Sequence, residues 1–154
     1  MKEEELKKFH KDIFELYNAI KELSANPDSK PETINYLTKF IVLQMSGYID
    51  KYIIYLISEF CDRKLETEEA KKFISSHTEK LTNMKSENIK SLFKKFNANW
   101  IKNINERQWI SLDEIVKTRH NVAHCKDTDI RLADYMDHFE KTVHTLKIIK
   151  NNMI

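Results

Sequence analysis

Glycine occurs once in this chain of 154 residues, at position 47, and proline twice, at positions 27 and 31. Ordinary usage would supply roughly ten glycines and eight prolines. Turns that need positive φ and the punctuation between strands draw on those residues. Their scarcity argues against sandwiches, barrels and hairpin-rich folds. It also removes the glycine-rich phosphate cradles, because neither a Walker A loop nor a GxGxxG turn can be built from one glycine. Long helices joined by short polar connections remain.

Charge and size narrow the class further. The chain has 26 Lys and Arg against 24 Asp and Glu, a formal charge of +2, with 41% hydrophobic and 32% charged residues. That is the composition of a soluble globular protein, large enough to bury a core without staples. The balance is too even to announce a nucleic-acid binder by net charge, so any basic face must be local. Cys61 and Cys125 provide no disulfide framework. With a start, MKEEELKK, too charged for a signal peptide, a reducing cytoplasm is the expected compartment. The longest nearly uncharged run, Phe40 to Ile49, is too short to span a bilayer, and no membrane association is expected.

The apolar periodicity predicts one domain over residues 1–154. From Glu3 to Ser24, the residues Leu6, Phe9, Ile13, Leu16, Tyr17, Ile20 and Leu23 recur at helical steps. The segment Asn26 to Pro31 breaks that helix. A second helix is predicted from about Glu32 to Arg63, roughly 48 Å long. Its middle is apolar nearly all round, from Phe40 to Ile57, so it should be the central helix or supply a dimer surface. Gly47 within it would be explained by a close helix crossing, the alternative being a merely tolerated glycine. Two shorter helices are expected near Thr67 to Leu81 and Ser86 to Phe96, then an irregular stretch from Asn97 to Arg107. Ser111, with Glu114 three residues on, reads as the start of a helix ending near Ala123. Asp127 to Asp129 reads as loop and cap, and Ile130 to Asn151 as the last helix. The expectation is an all-α bundle of five to six helices.

The chemistry concentrates in one stretch, Lys117-Thr118-Arg119-His120-Asn121-Val122-Ala123-His124-Cys125-Lys126. An arginine offers a planar fork for two phosphate oxygens at any physiological pH. A histidine can accept or donate a proton near pH 7. RNA supplies its own nucleophile, the 2′-hydroxyl, so no metal is strictly required. Arg119 and His124 lie about 140° apart on an ideal helix. They meet only if the helix ends near Ala123, or if pairs from two protomers meet across a two-fold axis. The bland reading of the pair is a helix C-terminus favouring cations. His120, His124 and Cys125 as a metal site is the weakest reading, and no metal or other cofactor is expected.

Arg119-His120-Asn121-Val122-Ala123-His124 resembles the R-x(4–6)-H motif of HEPN domains, which are all-helical. The lead-in Ile-Val-Lys-Thr and the order of helices make the chain most similar to prokaryotic RiboL-PSP-type HEPN nucleases. The resemblance implies a dimeric, metal-independent endoribonuclease, often a toxin or antiphage effector. Arg119 and His124 then take the catalytic positions, with His120 and Asn121 in support. A homodimer with a composite active site, an RNA substrate, and an antitoxin or associated defence protein are the implied partners. Two departures stand out: His120 occupies the position where Asn commonly follows the Arg, and Cys125 the position where Gly commonly follows the His. Some HEPN domains are non-catalytic interaction or nucleotide-binding modules, the alternative reading here.

Between Met84 and Arg107 the chain carries six cations and two anions. Lys90, Lys94, Lys95, Lys102 and Arg107, with Trp100 and Trp109 nearby, are the candidate RNA-binding residues. Tyr48, Tyr52 and Tyr55 read as core rather than as a base-stacking platform. Asp50, alone among acids in the apolar middle of its helix, reads as a solvent-facing notch rather than as an acid orienting a motif residue.

Overall fold

In a computed structural model describing residues 2–126 and 128–154, the chain forms six α-helices. They are α1 (Glu3–Ala25), α2 (Pro31–Lys64), α3 (Glu68–Thr78), α4 (Ser86–Phe96), α5 (Glu106–Ala123) and α6 (Leu132–Asn152). A 3-10 turn at Ala98–Ile101 joins α4 to α5, and no strand occurs among the described residues. The all-α expectation holds, with a long central helix.

Helix α2 organises the bundle. Its 34 residues bury apolar side chains around most of its girth, among them Ile41, Met45, Ile49, Ile53 and Ile57. Helices α1, α3, α5 and α6 all pack on it. By length and composition α2 could cross a bilayer, but most of its apolar stretch is buried inside the bundle. Helix α1 contributes Leu6, Ile13 and Ile20 to the core. Burying each of these fully stabilises the fold by about 1.5–3 kcal/mol. Pro31 begins α2, where its missing N–H costs nothing.

Helix boundaries differ from the sequence expectation where side chains override local pattern. Helix α5 starts five residues before Ser111. Its N-cap is Asn105, whose side chain accepts the Gln108 N–H while Gln108 accepts the Asn105 N–H, both at 3.0 Å. This capping box satisfies two N-terminal donors reciprocally. Ser111 instead lies buried inside the helix, with its hydroxyl 3.2 Å from Nδ1 of His138 on α6. Helix α3 stops at Thr78, short of Leu81. Arg131 occupies the N-cap position of α6 without a side-chain cap, and Asp127, expected in a capping loop, lies outside the described residues.

Gly47 does not mark a close crossing. A Cβ built there would meet only the Phe9 ring tip, at 4.0 Å, an ordinary contact. The glycine therefore carries its helix penalty without a packing return. Gly47→Ala is expected to raise unfolding free energy by about 0.5–1 kcal/mol, read by urea denaturation. A loss of stability would show that the site needs the glycine.

Candidate active site

The motif stretch occupies the last turn of α5 and the residues after it. Thr118, buried one residue before Arg119, shares a short hydrogen bond with the Tyr135 hydroxyl of α6. That contact anchors the last turns of α5 against the bundle. The helix ends at Ala123, and His124 is its C-cap, with φ −94° and ψ 16°. Cys125 follows with φ +53°. The Cys125 N–H donates to the Val122 carbonyl at 3.1 Å and the Lys126 N–H to the Asn121 carbonyl at 2.9 Å. These are the paired bonds of a Schellman turn, in which the left-handed position is usually glycine. Here a cysteine holds it.

The turn sets the His124 ring beside that of His120, with centroids 4.3 Å apart and the planes tilted by 51°. Both rings are exposed, whereas Arg119 and Asn121 are half-buried. Among the described residues no hydrogen bond joins Arg119 to His124, and none of the ion pairs involves Arg119. Within one chain the two imidazoles are thus the adjacent pair.

A loop that sequence reasoning had not connected to the motif completes the site. The Asp50 carboxylate of α2 accepts the Asn83 N–H at 2.9 Å. Three residues on, the Asp113 carboxylate of α5 accepts the Ser86 N–H at 2.7 Å and the Ser86 hydroxyl at 2.6 Å. Asp113 therefore caps α4 from another helix, next to the partial positive charge of its N-terminus. Between the two anchors lies Lys85, close enough to act on the charge of His120.

The reading of Asp50 as a solvent-facing notch is corrected. Its carboxyl is half-buried, and burial raises its pKa, while the Asn83 and Met84 amides and the Arg119 guanidinium pull it partly back down. Asp50 is thus the acid within electrostatic reach of Arg119. The signal available in the sequence was its isolation among apolar residues.

The surroundings of His120 favour its neutral form. Desolvation lowers its pKa below the usual 6.5, and the positive neighbours His124, Lys126, Lys85 and Arg119 lower it further. The positive field around it suits a phosphate. Lys85 and Lys126 are the site cations absent from the sequence-derived candidates. Among the described residues no group of three His, Cys, Asp or Glu is placed to hold a metal ion.

The five candidate RNA-binding cations divide. Lys90, Lys94 and Lys95 line one open depression beside Ser86. Arg107 lines another, beside Glu140 and His144. The exposed Lys102 ends the 3-10 turn, and its carbonyl accepts from Asn152 at 3.1 Å. Lys90 also lies over the Trp109 ring and 3.9 Å from Glu106. Trp100 and Trp109 are buried, so neither offers a face for base stacking.

An all-helical bundle with a long central helix, and an R-x4-H stretch closing its penultimate helix, defines the HEPN class. The chain belongs to the RiboL-PSP-HEPN family, whose model matches residues 4–153. No curated protein and no solved structure matches it.

Two outcomes test this geometry. Cys125→Gly should stabilise the fold by about 1 kcal/mol by relieving the left-handed residue, measured by thermal or urea unfolding. The His120 ring, followed by NMR, should titrate below 6.5 and move upward in Lys85→Ala and Lys126→Ala. Because the folded pKa is lowered, the unfolded chain binds this proton more readily. The contribution is complete above the unfolded value and is lost as pH falls through the folded one.

Proposed function

We propose that this protein is a metal-independent endoribonuclease of the HEPN type, acting as a toxin or antiphage effector in the cytoplasm. The observation that carries the reading is the set of cations Lys85, Arg119 and Lys126 within electrostatic reach of His120, whose ring lies beside that of His124. Arg119 binds the scissile phosphate and offsets the charge that develops on the phosphorane. His124, exposed at the helix end, acts as general base or acid for attack by the RNA 2′-hydroxyl. The 2′-oxygen bonds to phosphorus, the bond to the 5′-oxygen breaks, and that oxygen takes a proton, leaving a 2′,3′-cyclic phosphate. His120 and Asn121 orient the substrate and the motif.

Within one chain His124 lies beside His120 and makes no hydrogen bond to Arg119 among the described residues. A homodimer with the two α5 termini facing each other provides a composite cleft in which Arg119 of one protomer works with His124 of the other. The basic depression lined by Lys90, Lys94 and Lys95 extends the positive surface for the RNA backbone. Lys102 and Arg107 add charge outside that depression. An antitoxin or associated defence protein is the expected regulatory partner. The free, exposed thiol of Cys125 suits a reducing compartment.

The decisive experiment is RNA cleavage in EDTA by wild type, Arg119→Ala and His124→Ala. Wild type should release products with 2′,3′-cyclic phosphate ends. Each variant should fall by about 10²–10⁴-fold with its fold intact. Equal cleavage by all three would sink the assignment. A second reading, a non-catalytic HEPN interaction or nucleotide-binding module, is favoured by the lack of a hydrogen bond between Arg119 and His124 among the described residues. No cleavage of varied RNAs by wild type, together with co-purification of a partner protein, would select it.

A further inference from the structure

Arg119 leaves α5 from the face that packs into the bundle. Leu112, Ile115 and Val116 are buried on that face, and Arg119 lies within about 20° of Leu112 around the helix. The α5 residues that bond α6, Ser111 and Thr118, lie about 80–100° to one side of it. Asp113, which bonds Ser86 of α4, lies about 120° to the other side. Helix α2, on which α5 also packs, fills the sector between them. Arg119 therefore starts out toward α2, and its side chain is half-buried.

A guanidinium carries a fixed charge and five N–H donors. A phosphate held by the fork takes two of them. Those on the inner side need acceptors from the protein, because a buried donor without one is costly. Arg119 is in none of the ion pairs or side-chain hydrogen bonds among the described residues.

Acceptors with spare capacity stand on α2 and on the loop before α4. Asp50, half-buried on α2, accepts the Asn83 N–H at 2.9 Å through one oxygen. The side-chain oxygen of Asn83 is buried and has no hydrogen-bond partner among the described residues. The same holds for the hydroxyl of Ser46, which is 2% exposed and one turn before Asp50 on the same face of α2. Buried polar atoms are ordinarily paired. The only other such atom among the described residues is the Thr128 hydroxyl, so two of the three flank this one carboxylate. Burial raises the Asp50 pKa, and the Asn83 amide and the Arg119 charge lower it, which puts the guanidinium within electrostatic reach of the same group. Asp113 is no rival acceptor, because its two oxygens are taken by the Ser86 N–H and hydroxyl.

We propose that Asp50 and Asn83 are positioning residues for Arg119 in the RNA cleavage proposed above, a role that rests on that reading. The Asp50 carboxylate and the Asn83 side-chain oxygen accept from the inner N–H groups of the guanidinium. The Ser46 hydroxyl donates to the carboxylate. The fork then presents its outer N–H groups to the scissile phosphate. Because the Asn83 N–H is tied to the same carboxylate, the two acceptors move as one unit. Neither touches substrate.

Two variants test this in the full chain. Asp50→Asn keeps the side-chain shape and an oxygen for the Asn83 amide, and removes the charge. Asn83→Gly removes the side-chain oxygen, keeps the N–H and suits the left-handed φ of +53°. In RNA cleavage in EDTA, Asp50→Asn should lower kcat by about 10–100-fold and change KM by less than about threefold. Asn83→Gly should lower kcat severalfold while its urea midpoint stays at or above that of wild type, a combination that loss of structure does not give. In an Arg119→Ala background, Asp50→Asn should cost less than about twofold more, because the group it positions is gone. A readout independent of cleavage is the Arg119 Nε–H resonance, followed by NMR without RNA. It should be resolved in wild type and exchange with water at least about tenfold faster in both variants. If wild type cleaves no RNA, the nuclease reading fails, and this resonance alone decides whether Asp50 and Asn83 hold the guanidinium. Wild-type kcat in both variants, an undiminished loss in the Arg119→Ala background, or an unchanged Arg119 resonance in both variants would overturn the proposal.

Discussion

Helix α2 cannot face water along any long stripe, because its middle is apolar on nearly every side. The chain answers by surrounding it with α1, α3, α5 and α6. This requirement fixes the positions of everything else. Side chains that leave α2 in different directions become the floors of different surfaces. Asp50 reaches the loop before α4 and the end of α5, whereas Tyr48 and Tyr52 reach the crevice between α1 and α6. One buried rod thus sets the spacing between the motif and that crevice.

The loop from Asn83 to Ser86 depends on carboxylates rather than on its own sequence. Asn83 adopts a left-handed φ of +53°, which asparagine tolerates better than most residues. Its amide is then taken by Asp50, and Ser86 is taken by Asp113. Each bond uses an ionised or ionisable acceptor, the stronger kind of hydrogen bond. The result is a short segment fixed to α2 at one end and to α5 at the other. Lys85, lying between the anchors, contributes its charge to His120 without belonging to the motif helix.

The helices themselves were legible because 3.6-residue periodicity is strong in this chain. The limits of α4, at Ser86 and Phe96, follow from that pattern, and the R-x4-H stretch led to the right family. What could not be read was which polar side chain answers which amide across the bundle. Ser111 looked like an N-cap, but Asn105 and Gln108 form the better box, its N-cap six residues earlier, and the apolar residues before Ser111, Trp109 and Ile110, continue the helix. Asp50 looked like a surface acid because its partners, Asn83 and Arg119, are distant in sequence. Long-range hydrogen bonds leave no periodic trace, so both misreadings share one physical cause.

The scarcity of glycine has a final consequence at the end of α5. A Schellman turn needs a residue at positive φ, and the chain's single glycine is committed to α2. Cys125 takes the position at a cost of about 1–2 kcal/mol. The amides of Cys125 and Lys126 are both taken by the Val122 and Asn121 carbonyls, so this turn offers an anion no free backbone donor at those two positions. In the proposed reaction, phosphate recognition at this end falls to Arg119, Lys85 and Lys126, which act through charge and tolerate movement of the ligand. A site built this way gains its geometry from what packs against it. The short Thr118–Tyr135 contact and the Asp50 carboxylate, both rooted in neighbouring helices, supply that order to the arginine.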